Sequence, residues 1–233
     1  MSMNGSGSNV TRAGILGGTF DPIHYGHLVI AEDARVALQL EKVLFIPARE
    51  PPHKPKGSYS PFQDRVRMTE LAISGNPYLE LCLIEAKRPG PSYSVDTLRD
   101  LQATLGPGAE LYFIVGMDSL SNILAWHQPK ELISLCRLVV AERAGYQVDV
   151  SELERALPGL RERMVLIDTP ELSISSTDLE RRVRCGLPIR YQVPPDVERY
   201  IREHGLYVGE SRGGNRQTIE ASPERDHGEG KPC

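Results

Sequence analysis

The sequence predicts an α/β fold: a Rossmann-like doubly wound parallel sheet with helices on both faces and a small C-terminal helical extension. Three observations carry that expectation. Short apolar runs alternate with amphipathic segments along most of the 233 residues. The runs are continuous rather than alternating, as strands covered on both faces must be. The loops after the runs collect glycine, histidine and proline, and open parallel sheets bind ligands beyond the carboxyl ends of their strands.

Taken in order, Ala13-Gly14-Ile15-Leu16 is the first strand, followed by a glycine-rich loop and a helix over residues 27–40. Residues 43–46 form the second strand. A proline-rich loop then reaches Ser60, an N-cap with Pro61 at the first helical position and Gln63 at the capping-box position. That helix ends near Ser74, where Gly75-Asn76-Pro77 stops it. Residues 79–85 read as a third strand and 95–104 as a helix. Leu111-Tyr112-Phe113-Ile114-Val115 is the most strand-like run, since aromatic and β-branched side chains fit a pleated surface. Residues 138–141 and 164–167 supply two more strands, with a capped helix opened by Ser151 and Glu154 between them. Helices over 176–185 and 195–204 follow, each closed by a glycine, Gly186 and Gly205.

Composition narrows the function classes. The formal net charge is −4 and no basic patch stands out, which argues against a polynucleotide partner but leaves small phosphorylated ligands open. The four cysteines, Cys82, Cys136, Cys185 and Cys233, show no paired spacing, so neither a disulfide framework nor a zinc site is expected. The sequence has no apolar run of membrane-spanning length and no apolar signal core, so the expected location is the cytoplasm, without a membrane partner. Residues 1–12 read as a flexible leader, 13–208 as one domain, and 209–233, rich in Gly, Arg, Glu and Pro, as a disordered tail.

The loop after the first strand is the most informative segment: Gly17-Gly18-Thr19-Phe20-Asp21-Pro22-Ile23-His24-Tyr25-Gly26-His27-Leu28. Gly17 and Gly18 let the backbone approach a ligand, and the amides near Thr19 and Phe20 can point at an anion. His24 and His27 stand three apart across Gly26 at a helix start, where exposed amides and the helix dipole favour phosphate. Two imidazoles there donate hydrogen bonds and, when protonated, positive charge. An isolated Gly-Gly pair is a plain turn and a lone loop histidine is incidental. Their combination between strand and helix is a phosphate site.

This segment resembles the HxGH signature of the nucleotidyltransferase superfamily, and GGTFDPIHYGHL is similar to the bacterial nicotinate-mononucleotide adenylyltransferase family. Related HxGH enzymes include phosphopantetheine adenylyltransferase, cytidylyltransferases and class I aminoacyl-tRNA synthetases, so the motif alone leaves the acceptor open. Further matches extend from about Gly14 to Tyr207. Pro51-Pro52-His53-Lys54 resembles the family's PPHK loop, placing His53 and Lys54 beside substrate phosphate. Ser92-Tyr93-Ser94-Val95-Asp96-Thr97-Leu98 resembles SYTxDTL, which implies that Ser94, Thr97 and the helix start hold the pyridine carboxylate, although Ser94 also suits an N-cap. Gly116-Met117-Asp118-Ser119-Leu120 resembles GxDSL. Asp118 there is either a ribose acceptor or a helix cap. Trp126, the only tryptophan, and His127 match a position where an aromatic ring stacks on the pyridine. Arg143 matches an arginine that meets the mononucleotide phosphate, with Ala144 where the family commonly has proline.

Ser173-Ile174-Ser175-Ser176-Thr177-Asp178-Leu179 resembles ISSTxIR, implying that Ser175, Ser176 and Thr177 bind the ATP phosphates. The motif's arginine is replaced by Glu180, followed by Arg181 and Arg182, so either a neighbour such as Arg181 serves the phosphates or ATP binding is weakened. The resemblance implies transfer of the adenylyl group of ATP, with Mg2+, to nicotinate mononucleotide, giving nicotinate adenine dinucleotide and pyrophosphate. His24 and His27 are the expected catalytic residues, with no protein metal site. The alternatives are another HxGH adenylyltransferase with a nicotinamide mononucleotide or phosphopantetheine acceptor, and a catalytically weakened nucleotide-binding regulator. Homo-oligomerisation stays open.

Overall fold

In the computed structural model, which describes residues 12–106, 108–142, 148–170 and 172–208, the apolar runs become six strands. These are β1 (Arg12–Gly18), β2 (Lys42–Pro47), β3 (Leu79–Leu81), β4 (Glu110–Gly116), β5 (Arg137–Ala141) and β6 (Met164–Ile167). All neighbours pair in parallel, in the order β3-β2-β1-β4-β5-β6. The helices are α1 (Tyr25–Ala37), α2 (Phe62–Ile73), α3 (Ser94–Leu105), α4 (Met117–Ser121), α5 (Pro129–Leu135), α6 (Val150–Ala156), α7 (Leu160–Arg163), α8 (Ser176–Arg184) and α9 (Pro195–Glu203).

Successive strand residues feed two separate cores, which is why the runs are continuously apolar. On one face Leu16, Phe45, Ile114 and Val139 pack with Ala31 and Ala34 of α1, Met68 of α2, Leu179 of α8 and Val197 of α9. On the other, Ile15, Leu44, Phe113 and Val140 pack with Val95 and Leu98 of α3, Leu132 of α5 and Leu160 of α7. Each Val, Leu, Ile, Met or Phe side chain buried in this way contributes roughly 1.5–3 kcal/mol. Strand order reverses between β1 and β4, so the crossovers leaving them diverge and open a crevice at their carboxyl ends. The strands end there in glycine, at Gly17-Gly18 and Gly116.

Local structure departs from the sequence expectation at several points, each with a visible cause. The third strand stops at Leu81, and a 3₁₀ turn (Ile84–Lys87) follows, carrying Glu85 inward. Ser60 does not cap α2, whose N-cap is Pro61. Its N–H instead donates to Asp21 Oδ2 (2.8 Å) and its carbonyl accepts from Arg65 Nε (3.0 Å). Asp149, not Ser151, caps α6, accepting the Ser151 and Glu152 amides. Glu154 accepts the Gly159 and Arg161 amides across the following turn. Helices α4, α5 and α7 are too short to show a helical period in sequence. Arg12, assigned to the leader, already belongs to β1. Residues 1–11 and 209–233 of the leader and tail lie outside the described residues.

Candidate active site

The crevice between β1 and β4 is a cleft of about 1020 Å³, and most of the expected site residues line it. The phosphate loop forms one wall. Phe20 takes a left-handed backbone (φ 51°), costly for a non-glycine residue, and its buried ring offsets that cost. The ring covers Gly18 so closely that a Cβ there would sit 2.9 Å from Phe20 Cε1. Its edge also meets His27, with centroids 5.1 Å apart. Phe20 therefore shapes the loop from behind, while Gly17, Gly18, Thr19, His24 and His27 line the cleft.

The two histidines are locked to each other. His24, in extended conformation, is the N-cap of α1, and its N–H donates to His27 Nδ1 (3.3 Å) while its carbonyl accepts the His27 N–H (3.0 Å). Because Nδ1 of His27 accepts, its neutral ring carries the proton on Nε2. The ring centroids are 3.8 Å apart. Gly26 is required by this packing: a Cβ would lie 3.0 Å from both Cε1 and Nδ1 of His24. Burial depresses the His24 imidazole to about 4, and burial reinforced by His24 pushes His27 well below its usual value. Both rings are thus neutral near pH 7 without a ligand, so they offer N–H donors rather than positive charge. An arriving phosphate anion would favour protonation. His24 Nδ1 is buried with no hydrogen-bond partner among the described residues.

Helix α8 completes this wall. Ser175 caps it by accepting the Asp178 amide (3.2 Å), and Ser176 Oγ donates to the Pro22 carbonyl (2.9 Å), tying the helix start to the phosphate loop. Both serines line the cleft, whereas Thr177 and Arg181 do not. Arg181 is ion-paired with Asp178 (2.7 Å), and Arg182 donates to the Pro188 carbonyl. In this arrangement neither arginine lines the cleft in place of the one that Glu180 displaces. Glu180 is half-buried. Burial raises its carboxyl, the charge of Asp21 adds to this, and Lys54 and Arg184 oppose it.

The acceptor wall is assembled from distant segments. His53 and Lys54 line it after β2. Helix α3 begins at Ser94 with Tyr93 as its N-cap, so Ser94 occupies the first turn rather than the cap, and both residues line the cleft. Thr97 does not line the cleft: it is buried, donates to Glu85 Oε1 (2.5 Å) and receives Arg88 Nη2 (2.8 Å). Gly116 caps α4, and a Cβ there would come within 2.7 Å of Asp118 Oδ1, so glycine leaves that carboxylate room at the cleft. Trp126 stands edge-on to Phe113 (6.0 Å), and His127 stacks on Tyr93 (4.2 Å). Arg143 lies outside the described residues.

Sequence reading missed Glu85, which lines the cleft with Oε2 unpartnered among the described residues, and Tyr93, the platform for His127. It also missed Arg65, a fully buried cation. The available signal was position: Arg65, Met68 and Thr69 share one helical face. Among the described residues no group of three acidic, histidine or cysteine side chains could hold a metal ion, and no helix is long and apolar enough to cross a membrane.

Comparison with known proteins agrees with this construction. Residues 15–182 match the cytidylyltransferase-like family model. Proteins named probable nicotinate-nucleotide adenylyltransferase are similar along nearly their full lengths. That of Dehalococcoides mccartyi strain 195 is 46% identical over 197 residues (84% of this chain, 97% of the relative). That of Roseiflexus sp. strain RS-1 is 50% identical over 195 residues (83% and 96%). Among solved structures, Plasmodium falciparum nicotinic acid mononucleotide adenylyltransferase complexed with NaAD shares the fold, with TM-score 0.71 at 23% identity over 84% of this chain and 97% of that one. The chain belongs to the cytidylyltransferase-like family and, within it, to the nicotinate-nucleotide adenylyltransferases.

Proposed function

We propose that this protein transfers the adenylyl group of ATP to nicotinate mononucleotide, forming nicotinate adenine dinucleotide and pyrophosphate, a step of NAD biosynthesis. The observation that carries the reading is one cleft with two unlike walls: a glycine-histidine phosphate loop facing an aromatic and hydroxyl-lined pocket. The mononucleotide phosphate oxygen attacks the α-phosphorus in line, forming one P–O bond as the bond to pyrophosphate breaks. That nucleophile is already an anion, so no general base is required and no covalent enzyme intermediate forms. The chain's contribution is positioning and charge stabilisation.

In this reading His27 Nε2–H and the His24 ring hold the α-phosphate and the departing pyrophosphate, and Ser175 and Ser176 take the outer phosphates at the α8 N-terminus. Trp126 stacks on the pyridine, the first turn of α3 at Ser94 meets its carboxylate, and Asp118 accepts ribose hydroxyls. Mg2+ brought by ATP would neutralise charge on the triphosphate and would ask little of protein carboxylates. The setting is cytoplasmic, with no nucleic-acid partner.

The test is pyrophosphate release with ATP and, in turn, nicotinate mononucleotide, nicotinamide mononucleotide and phosphopantetheine. Turnover is expected to be fastest with the first. Preference for either other acceptor assigns a sister enzyme. Calorimetric ATP binding without release from any of them assigns a nucleotide-binding regulator.

A further inference from the structure

Arg65 is the largest fully buried side chain in the described structure, yet it does not itself line the cleft. Its guanidinium instead grips backbone. Nη1 donates to the carbonyls of Thr19 and Ala48, both at 2.8 Å. Nε donates to the Ser60 carbonyl (3.0 Å), and Nη2 to the Arg49 carbonyl at a longer 3.4 Å. Thr19 belongs to the loop after β1, while Ala48 and Arg49 open the loop after β2 that leads to His53 and Lys54. Thr19 and Ala48 both line the cleft.

One nitrogen therefore bridges the loop assigned to the triphosphate and the loop assigned to the acceptor phosphate. The planar fork is what makes this work: its donors diverge in fixed directions, and each of these carbonyls lies along one of them. The rings of Tyr59 and Phe62 lie 5.2 and 5.5 Å from the guanidinium carbon, closing it off from water. Next to it, Asp21 Oδ2 accepts the Ser60 N–H (2.8 Å) and Oδ1 accepts Tyr207 O–H (2.5 Å), so the chain beyond α9 braces the same loop.

We infer that Arg65 is a positioning residue that fixes the spacing of the two substrate loops, so that ATP and the mononucleotide are held at reacting distance by one buried guanidinium. This rests on the adenylyl-transfer reading above. A merely structural cation would support the fold without linking the two substrates. A spacer must affect both, because loosening it lets each loop drift against the other.

The experiment compares wild type, Arg65→Lys and Met68→Ala by steady-state kinetics with ATP and nicotinate mononucleotide. Hydrogen exchange is followed over residues 19–21 and 48–54. Met68 is buried on the same helix and serves as the control for general destabilisation. Arg65→Lys keeps the charge but cannot reproduce the fork. It is expected to raise both KM values at least fivefold, lower kcat at least tenfold and speed exchange in both loops together. Met68→Ala is expected to lower the melting temperature with both KM values unchanged. Where Arg65→Lys does not fold, Asp21→Asn, which removes the carboxylate charge beside the guanidinium, is expected to shift both KM values in the same direction. The inference is overturned by wild-type KM values in the folded variant, by a change in only one of them, or by an equal change in Met68→Ala. If wild type releases no pyrophosphate, the functional reading fails instead, and the exchange rates of the two loops decide the role of Arg65.

Discussion

The two walls of the cleft are built in opposite ways. The phosphate wall is built around one uninterrupted stretch, residues 17–27, closed by the start of α8, and works through glycine geometry, helix starts and two rings 3.8 Å apart. The acceptor wall gathers Lys54, Ser94, Asp118, Trp126 and His127 from three separate crossovers, and its residues meet only because the sheet order sets β3 and β2 on one side of β1 and β4 on the other. The phosphate group common to all these reactions can be bound by backbone and a local motif. Choosing a particular acceptor needs side chains placed on several sides, and that is a property of the fold.

The sharpest way to break the comparison is to remove a ring from the local wall. His24→Ala is expected to lower kcat by about 10²–10³-fold, as losing a donor to developing negative charge does elsewhere. The KM for the mononucleotide should change little. Near-normal kcat in a steady-state assay would remove His24 from the chemistry. Acid should unmake the same wall. The folded His24 pKa of about 4 lies below the ordinary 6.5, so the unfolded chain binds more protons between them. The stability attached to the neutral ring is complete above pH 6.5 and is lost as pH falls toward 4, by up to about 3 kcal/mol. Melting temperature against pH should therefore fall more steeply for wild type than for His24→Asn within that window. Parallel curves would show that the ring is not held neutral by its surroundings.

How much of this was legible in the sequence follows the same division. Strand–helix alternation and a parallel sheet were readable because both faces of the central strands are buried, and a continuous apolar run records that directly, whereas the order of the strands in the sheet was not. The phosphate loop was readable because Gly18 and Gly26 answer to contacts two residues away, with Phe20 and His24. Contacts at long range were not. Thr97 lies in a motif matched at the acceptor site, yet its hydroxyl is turned to Glu85 and Arg88, which a linear motif cannot express. Arg65 and Asp21 meet the loops they brace through carbonyls, an amide and Tyr207 far along the chain. Backbone partners leave no residue-type signature. The expected helix cap at Ser60 was plausible chemistry overridden by those same tertiary bonds.

On the acceptor wall single substitutions should act on one substrate alone. Trp126→Ala removes the ring proposed to stack on the pyridine. It is expected to raise the KM for nicotinate mononucleotide about tenfold, at roughly 1–3 kcal/mol per aromatic stack, with the KM for ATP within twofold of wild type. Equal losses for both substrates would mean that Trp126 supports the cleft through Phe113, 6.0 Å away, rather than gripping the acceptor.

The smallest effect tests where the two walls meet. Glu180 replaces an arginine of the resembled motif but does not line the cleft. It sits half-buried, and burial first, then the charge of Asp21, raises its carboxyl while Lys54 and Arg184 oppose this. Its charge therefore reaches the phosphates mainly by offsetting the ammonium of Lys54, which does line the cleft. Partly exposed charge pairs of this kind contribute about 0.2–1 kcal/mol, and salt screens them further. Glu180→Gln should then lower the KM for nicotinate mononucleotide by roughly twofold to fivefold at low ionic strength, with the gain fading as salt is added. Glu180→Gln with Lys54→Gln should show no such gain, because no ammonium is left to unmask. An increase in the ATP KM on Glu180→Gln would instead mean that the carboxylate contributes to binding, and that this chain has rebuilt the outer-phosphate site around a residue of opposite charge.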